Sequence, residues 1–137
     1  QRSFVGLVAT TAVLGNADPS SNTSIALLGF GVDAADSTRS FMHGNGTSIV
    51  KDALTGTFPP RDQSTSMLEA RIFCPPNSST VFYSLEVLGG GSIYDGSTST
   101  TIPTNTTLLS PQIWTNNGTT ALAVGIDVVT QYLETDN

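Results

Sequence analysis

A single histidine, His43, and a single cysteine, Cys74, limit the side-chain chemistry open to this chain. A zinc site needs two or three further good ligands beyond these two. A Ser-His-Asp arrangement would have to draw on His43, and no G-x-S-x-G elbow marks a nucleophile. Cys74 has one possible activating base and no partner for an internal disulfide. It reads as a small buried hydrophobe at a strand end, with an intermolecular bridge as the alternative. Asp33, Asp36, Asp95 and Asp127 offer oxygen ligands for calcium, but none lies in a D-x-D-x-D-G loop. Paired carboxylates for glycoside chemistry must face each other across a cleft, which linear spacing does not reveal. Gly29 and Gly31 are followed by no helix-like segment and make no phosphate-binding fingerprint. Gly89-Gly90-Gly91 is a flexible turn, or else a backbone nest for an anion. Trp114 with Tyr83, Tyr94 and Tyr132 would suit a sugar platform, though ordinary packing accounts for the same residues. No catalytic constellation, metal set or cofactor motif emerges, and the chain reads as non-enzymatic.

Composition narrows the partners. The net charge is −6, and the five basic residues are scattered (Arg2, Arg39, Lys51, Arg61, Arg71). Without a basic stripe the chain is not expected to bind nucleic acid by phosphate neutralisation. No apolar run approaches the roughly 18 residues that span a membrane. No signal-like segment follows Gln1, so any targeting peptide is expected to be removed or never used. The surface is expected to be Ser, Thr, Gly and Asn rather than charge. That suits a virion exterior or an extracellular setting, or an assembly whose surfaces pack on neighbours.

The elements that position these residues read as strands. Met67–Leu88 (MLEARIFCPPNSSTVFYSLEVL) alternates with period 2 on either side of Pro75-Pro76-Asn77-Ser78. Leu68, Ala70, Ile72 and Cys74 share one face of the first strand; Val81, Tyr83, Leu85 and Val87 share one face of the second. Phe4–Leu14 is an apolar β-prone segment that can pair within its own sheet or with a neighbouring subunit. Residues 1–14 are therefore a possible strand-exchange arm. Gly15–Ser24 is a loop by its turn chemistry. Ile25–Val32 is a buried strand whose glycines signal a bulge or a close backbone approach. Asp33–Arg39 is expected to form one helical turn. Ser40–His43 and Thr47–Val50 are expected to be edge strands, and Pro59-Pro60-Arg61-Asp62 an exposed corner. Asp95-Gly96 signals a turn, and Ser97–Thr107 an edge or loop. Leu108–Trp114 is a strand broken at Pro111. Asn116-Asn117-Gly118 predicts a hairpin into a last strand, Ala121–Leu133, alternating through Leu122, Val124, Ile126 and Val128.

Together these make about eight strands with turn signals between them, the pattern of an all-β, single-domain antiparallel β-sandwich or jelly roll. The length of 137 residues suits one domain. Helix is not favoured and no repeat of 20–50 residues is evident.

Five N-x-[ST] sequences, at Asn22, Asn45, Asn77, Asn105 and Asn117, fall in expected loops or turns, where a glycosylation acceptor must lie.

Residues 92–129, SIYDGSTSTTIPTNTTLLSPQIWTNNGTTALAVGIDVV, resemble a loose class of tailed-phage virion proteins. In that class a Tyr-Asp element leads to an I-P-x-N-T-x-L loop, a strand, a turn and a last alternating strand. ARIFCPPNSSTVFYSLEVLGGG is similar to its central hairpin. About half the chain is covered, and residues 1–60 carry no match. The resemblance implies a small β-sandwich that decorates a capsid or forms a fibre or spike module, usually as a trimer, with no catalytic residues. The expected partners are the chain itself and other virion or fibre subunits, with no cofactor. Phe4, Val5, Leu7, Phe41, Met42, Phe58 and Trp114 are the expected contact residues. Two other readings stand beside this one. One is a secreted, glycosylated fibre or pilus-like subunit, or a projecting viral capsid domain. The other is a carbohydrate-binding module with a surface-glycan partner.

Overall fold

The computed structural model describes residues 1–54 and 66–135. Phe58 and the corner at Pro59–Asp62 lie outside them. Eight strands run in order: β1 (Arg2–Val8), β2 (Ala26–Val32), β3 (Ser40–Asn45), β4 (Ile49–Ala53), β5 (Leu68–Phe73), β6 (Val81–Val87), β7 (Ile93–Thr98) and β8 (Ser110–Asn116). They form a five-stranded sheet, β4-β3-β2-β1-β8, and a three-stranded sheet, β5-β6-β7. Every pairing is antiparallel. Each sheet is a meander of consecutive strands, with β8 returning to lie beside β1. This is a β-sandwich, as the alternation predicted. Among the described residues no helix is long and apolar enough to cross a membrane.

β2 is buried along its whole length. It lies between β1 and β3, and both of its faces are covered, so a continuous apolar run serves where alternation would not. On the inner face Leu28 and Phe30 join Phe41 of β3 and Val81, Tyr83 and Leu85 of β6. On the outer face Leu27 joins Phe4, Val8, Met42 and Trp114, under Leu14 from the β1–β2 connection. The glycines make room for that second cluster. A Cβ at Gly29 would stand 2.5 Å from the Phe4 ring and 2.5 Å from the Val5 carbonyl. At Gly31 it would meet the Met42 sulfur at 2.6 Å. The ladder runs unbroken through both, so the glycines mark close approach and not a bulge.

The β5–β6 hairpin matches its sequence pattern. Its turn closes with the Ser78 N–H donating to the Pro75 carbonyl at 3.0 Å, and Asn77 sits at φ +59°. Cys74 falls just past β5 and is exposed, so it is not the buried hydrophobe expected. Four other expectations are corrected. Asp33–Arg39 forms no helical turn: Asp36 N–H bonds back to the Asp33 carbonyl in a reverse turn, and among the described residues the one helical piece is a 3-10 turn at Pro19–Ser21. β3 is no edge strand, because β2 and β4 flank it. Asp95-Gly96 is mid-strand in β7; the glycine is needed because the Tyr83 ring lies across it, 2.5 Å from where a Cβ would be. β8 passes through Pro111, which an edge strand tolerates.

The largest correction is at the C-terminal end. Gly118 makes the expected turn at φ +62°, and the Thr120 N–H bonds to the Asn117 carbonyl. No hairpin follows. Residues 119–135 join neither sheet.

Candidate functional site

His43 sits on the inner face of β3 and is 2% exposed. Its Nδ1 lies 3.3 Å from the Thr101 carbonyl, an acceptor, so Nδ1 carries the hydrogen of that bond. Thr101 reaches this position at φ +52°, a strained value for a β-branched residue. His43 Nε2 lies 3.4 Å from Asp52 Oδ2 on β4. The Tyr83 hydroxyl donates to the same oxygen at 2.9 Å. Tyr83 is stacked on Phe41 with ring centroids 3.7 Å apart. Burial, then the Asp52 contact and Tyr94, push the Tyr83 phenol well above its ordinary value. The cluster joins β3 and β4 to β6 across the sandwich. Among the described residues Nδ1 faces the Thr101 carbonyl and Nε2 has no hydrogen-bond partner. The evident effect of the cluster is to fix the two sheets against each other.

The acidic calcium candidates are taken by a lysine and by backbone. Lys51 Nζ donates to Asp33 at 2.7 Å and to Asp36 at 2.8 Å. Burial alone would lower the Lys51 pKa; the bonds to Asp33 and Asp36 outweigh it and raise it. Asp33 also accepts from Ser20, and Asp36 from the Asp33 N–H. Asp18 pairs with Arg2 and accepts the Ala34 N–H at 2.8 Å. Burial pushes its carboxyl up, but the Ala34 and Arg2 contacts prevail and hold it below the usual range. Asp95, on β7, and Asp127, in the C-terminal segment, are exposed. Among the described residues no group of three His, Cys, Asp or Glu is placed to hold a metal ion.

The aromatic platform does not form. Trp114 is buried with Phe4 on the outer face of the large sheet, while Tyr83 lies between the sheets. Tyr94 packs beside Tyr83, and Tyr132 is exposed in the C-terminal segment. The expected contact residues also divide. Phe4, Phe41, Met42 and Trp114, expected to make subunit contacts, are buried in the chain's own interior. Val5 and Leu7 are half-buried. β1 is paired on both sides, by β2 and β8, and has no free ladder edge for exchange. Of the sequon asparagines, Asn45, Asn77 and Asn105 are exposed, and Asn22 and Asn117 are half-buried. Asn45 is the last residue of β3 and not a loop residue; its Oδ1 accepts from the Thr47 hydroxyl at 2.8 Å.

Comparison with protein-family models, curated proteins and solved structures found no match. The site must therefore be read from what this chain leaves open.

Among the described residues it leaves open three apolar regions. The first is the segment after the Asn117-Gly118 turn. Leu122 is 70% exposed and Tyr132 80%, with Val128, Val129 and Leu133 also exposed and Val124 and Ile126 half-buried. The second is one flank of the sandwich. The register puts Val5 and Ile113 in the same inner-face row as Phe30 and Phe41, and Leu7 beside Leu28. Phe30 and Phe41 are buried, yet Val5, Leu7 and Ile113 are only half-buried. The small sheet has three strands against five, and among the described strands β5 approaches β2. Ala70, on the inner face of β5, is also exposed. On the small sheet's outer face, cross-strand partners Phe73 and Phe82 are exposed beside Arg71, which pairs with Glu69 and Glu86. Sequence reasoning passed over both phenylalanines, although alternation had already put them on the solvent side.

Proposed function

We propose that this protein is a non-enzymatic structural subunit that self-associates and packs on neighbouring subunits, as a virion decoration or a fibre or spike component. The observation that carries the reading is the exposed, alternating apolar segment Ala121–Leu133 at the end of a chain whose sandwich is otherwise formed. Several large apolar side chains held in water along one segment mark an interaction surface. The resemblance of residues 92–129 to tailed-phage virion proteins supports the same reading and favours a trimer. The setting that fits is a virion surface or the extracellular space.

A second reading is supported by Asn77 and Asn105, two exposed sequon asparagines in turns. It is a secreted, glycosylated fibre subunit or a projecting capsid domain. One experiment separates the two. A native mass spectrum of the protein from its natural source is expected to give an unmodified trimer or higher oligomer. Added mass in hexose and N-acetylhexosamine steps supports the glycosylated reading. An unmodified monomer at micromolar concentration overturns both.

A further inference from the structure

Resting on the self-association reading, we infer that Ala121–Leu133 is a donated strand: it adds, in a second copy of the chain, to the edge of β5 that no described strand pairs. The donor has the pattern of a strand with one buried face. Leu122, Val124, Ile126 and Val128 fall to one side, with Ala123, Gly125 and Asp127 between them. The segment forms no ladder in its own chain. The turn at Asn117-Gly118 would lead it onto the outer edge of β8, but that strand carries Pro111, which has no N–H to offer and blunts the edge.

The acceptor edge is unpaired among the described residues of the same chain. Among the described residues β5 pairs with β6 alone. A strand added to its other edge would lie about 4.8 Å further along the small sheet and about 10 Å from the large one. That is the flank left by the described strands. Val5, Leu7 and Ile113 line its far wall, and Ala70 is exposed beside it. The apolar side of the donated strand would close over these residues, while Asp127 and Gln131 on its other side stay in water. Backbone ladder bonds supply affinity, and the apolar side chains set register. Each chain holds one donor and one acceptor, so two or three copies can satisfy every site in a closed assembly.

The test uses full-length protein. Val124→Asp with Ile126→Asp puts carboxylates where the flank would bury them, and association should weaken about a hundredfold or more. Sedimentation velocity reads this, and circular dichroism should show the sandwich intact. A second measurement holds even if that variant fails to fold. Chains carrying Cys74→Ser with either Ala121→Cys or Gln131→Cys are mixed with tagged wild-type chains and mildly oxidised. Cys74 is exposed just past β5, and the two new thiols mark the two ends of the donated strand. A disulfide between chains from one of them, absent when Val13→Cys is used instead, supports donation in trans. Persistent oligomers in the Asp variant with no inter-chain disulfide overturn the inference and leave self-association standing through another surface. A disulfide within one chain, formed when Cys74 is kept beside either new thiol, places the strand in cis and also overturns it. A wild-type monomer at every concentration overturns this inference and the reading it rests on.

Discussion

Tyr83 shows how much of this interior is decided by single side chains. It stacks on Phe41, covers Gly96 and donates to Asp52, which His43 also faces. Its phenol is raised above the ordinary value, so the folded chain holds that proton to higher pH than the unfolded chain does. The stability this contributes is fully present below the unfolded pKa, about 10, and is lost as pH rises through the folded value. Urea midpoints measured from neutral pH to about pH 11 should fall on the alkaline side in wild type and flatten in Tyr83→Phe. At neutral pH the same substitution should cost about 1–2 kcal/mol, because Asp52 loses a donor. An unchanged alkaline limb would assign it to another group. His43 stood out in the sequence because it is alone, but Asp52 did not. The pairing of the two depends on the β3–β4 register and on the second sheet lying over it, and neither is written in local spacing. The same holds for Asp33 and Asp36. Their acidity was legible as a cation site; that the cation is the Lys51 ammonium follows only from the fold.

At the scale of elements, strand positions were mostly legible and their neighbours were not. Alternation located β6 and its buried face, and two prolines ended β5 where they should. β3 was misread as an edge because its shortness said nothing about β2 and β4 on either side. Asp95-Gly96 was misread because a glycine that makes room for a ring has the same one-letter signal as a glycine that turns the chain. Gly29 offers a direct check on that distinction. A methyl group there would meet the Val5 carbonyl, which is backbone and cannot step aside, as well as the Phe4 ring. Gly29→Ala should therefore cost about 2–3 kcal/mol by overpacking. Gly125→Ala, where nothing lies within 4 Å of the new carbon, should change stability by less than about 0.5 kcal/mol. Thermal or chemical denaturation of the two variants compares them directly. Equal effects would mean that Gly29 is not held by packing.

At the scale of the whole molecule, the sequence announced a last strand but could not say what it pairs with. Period-2 alternation reports a buried face; it carries no information on whose face buries it. Among the described residues the sandwich has five strands against three, and Val5, Leu7 and Ile113 along one flank are only half-buried. If a neighbour's segment closes that flank, the folded state is stabilised by mass action, and its melting temperature must depend on protein concentration. Each tenfold rise in concentration is worth about 1.4 kcal/mol per association step, and for a chain of this size 1 kcal/mol moves Tm by about 4 °C. Wild type should therefore melt several degrees higher across a hundredfold concentration range. Val124→Asp with Ile126→Asp should melt at one temperature throughout, close to that of wild type at its most dilute, because in both the flank stands open. Calorimetry over that range reads both curves. A wild-type Tm that does not move with concentration would mean that the fold is complete without a neighbour, and the exposed segment would then have no thermodynamic claim to a partner of its own kind.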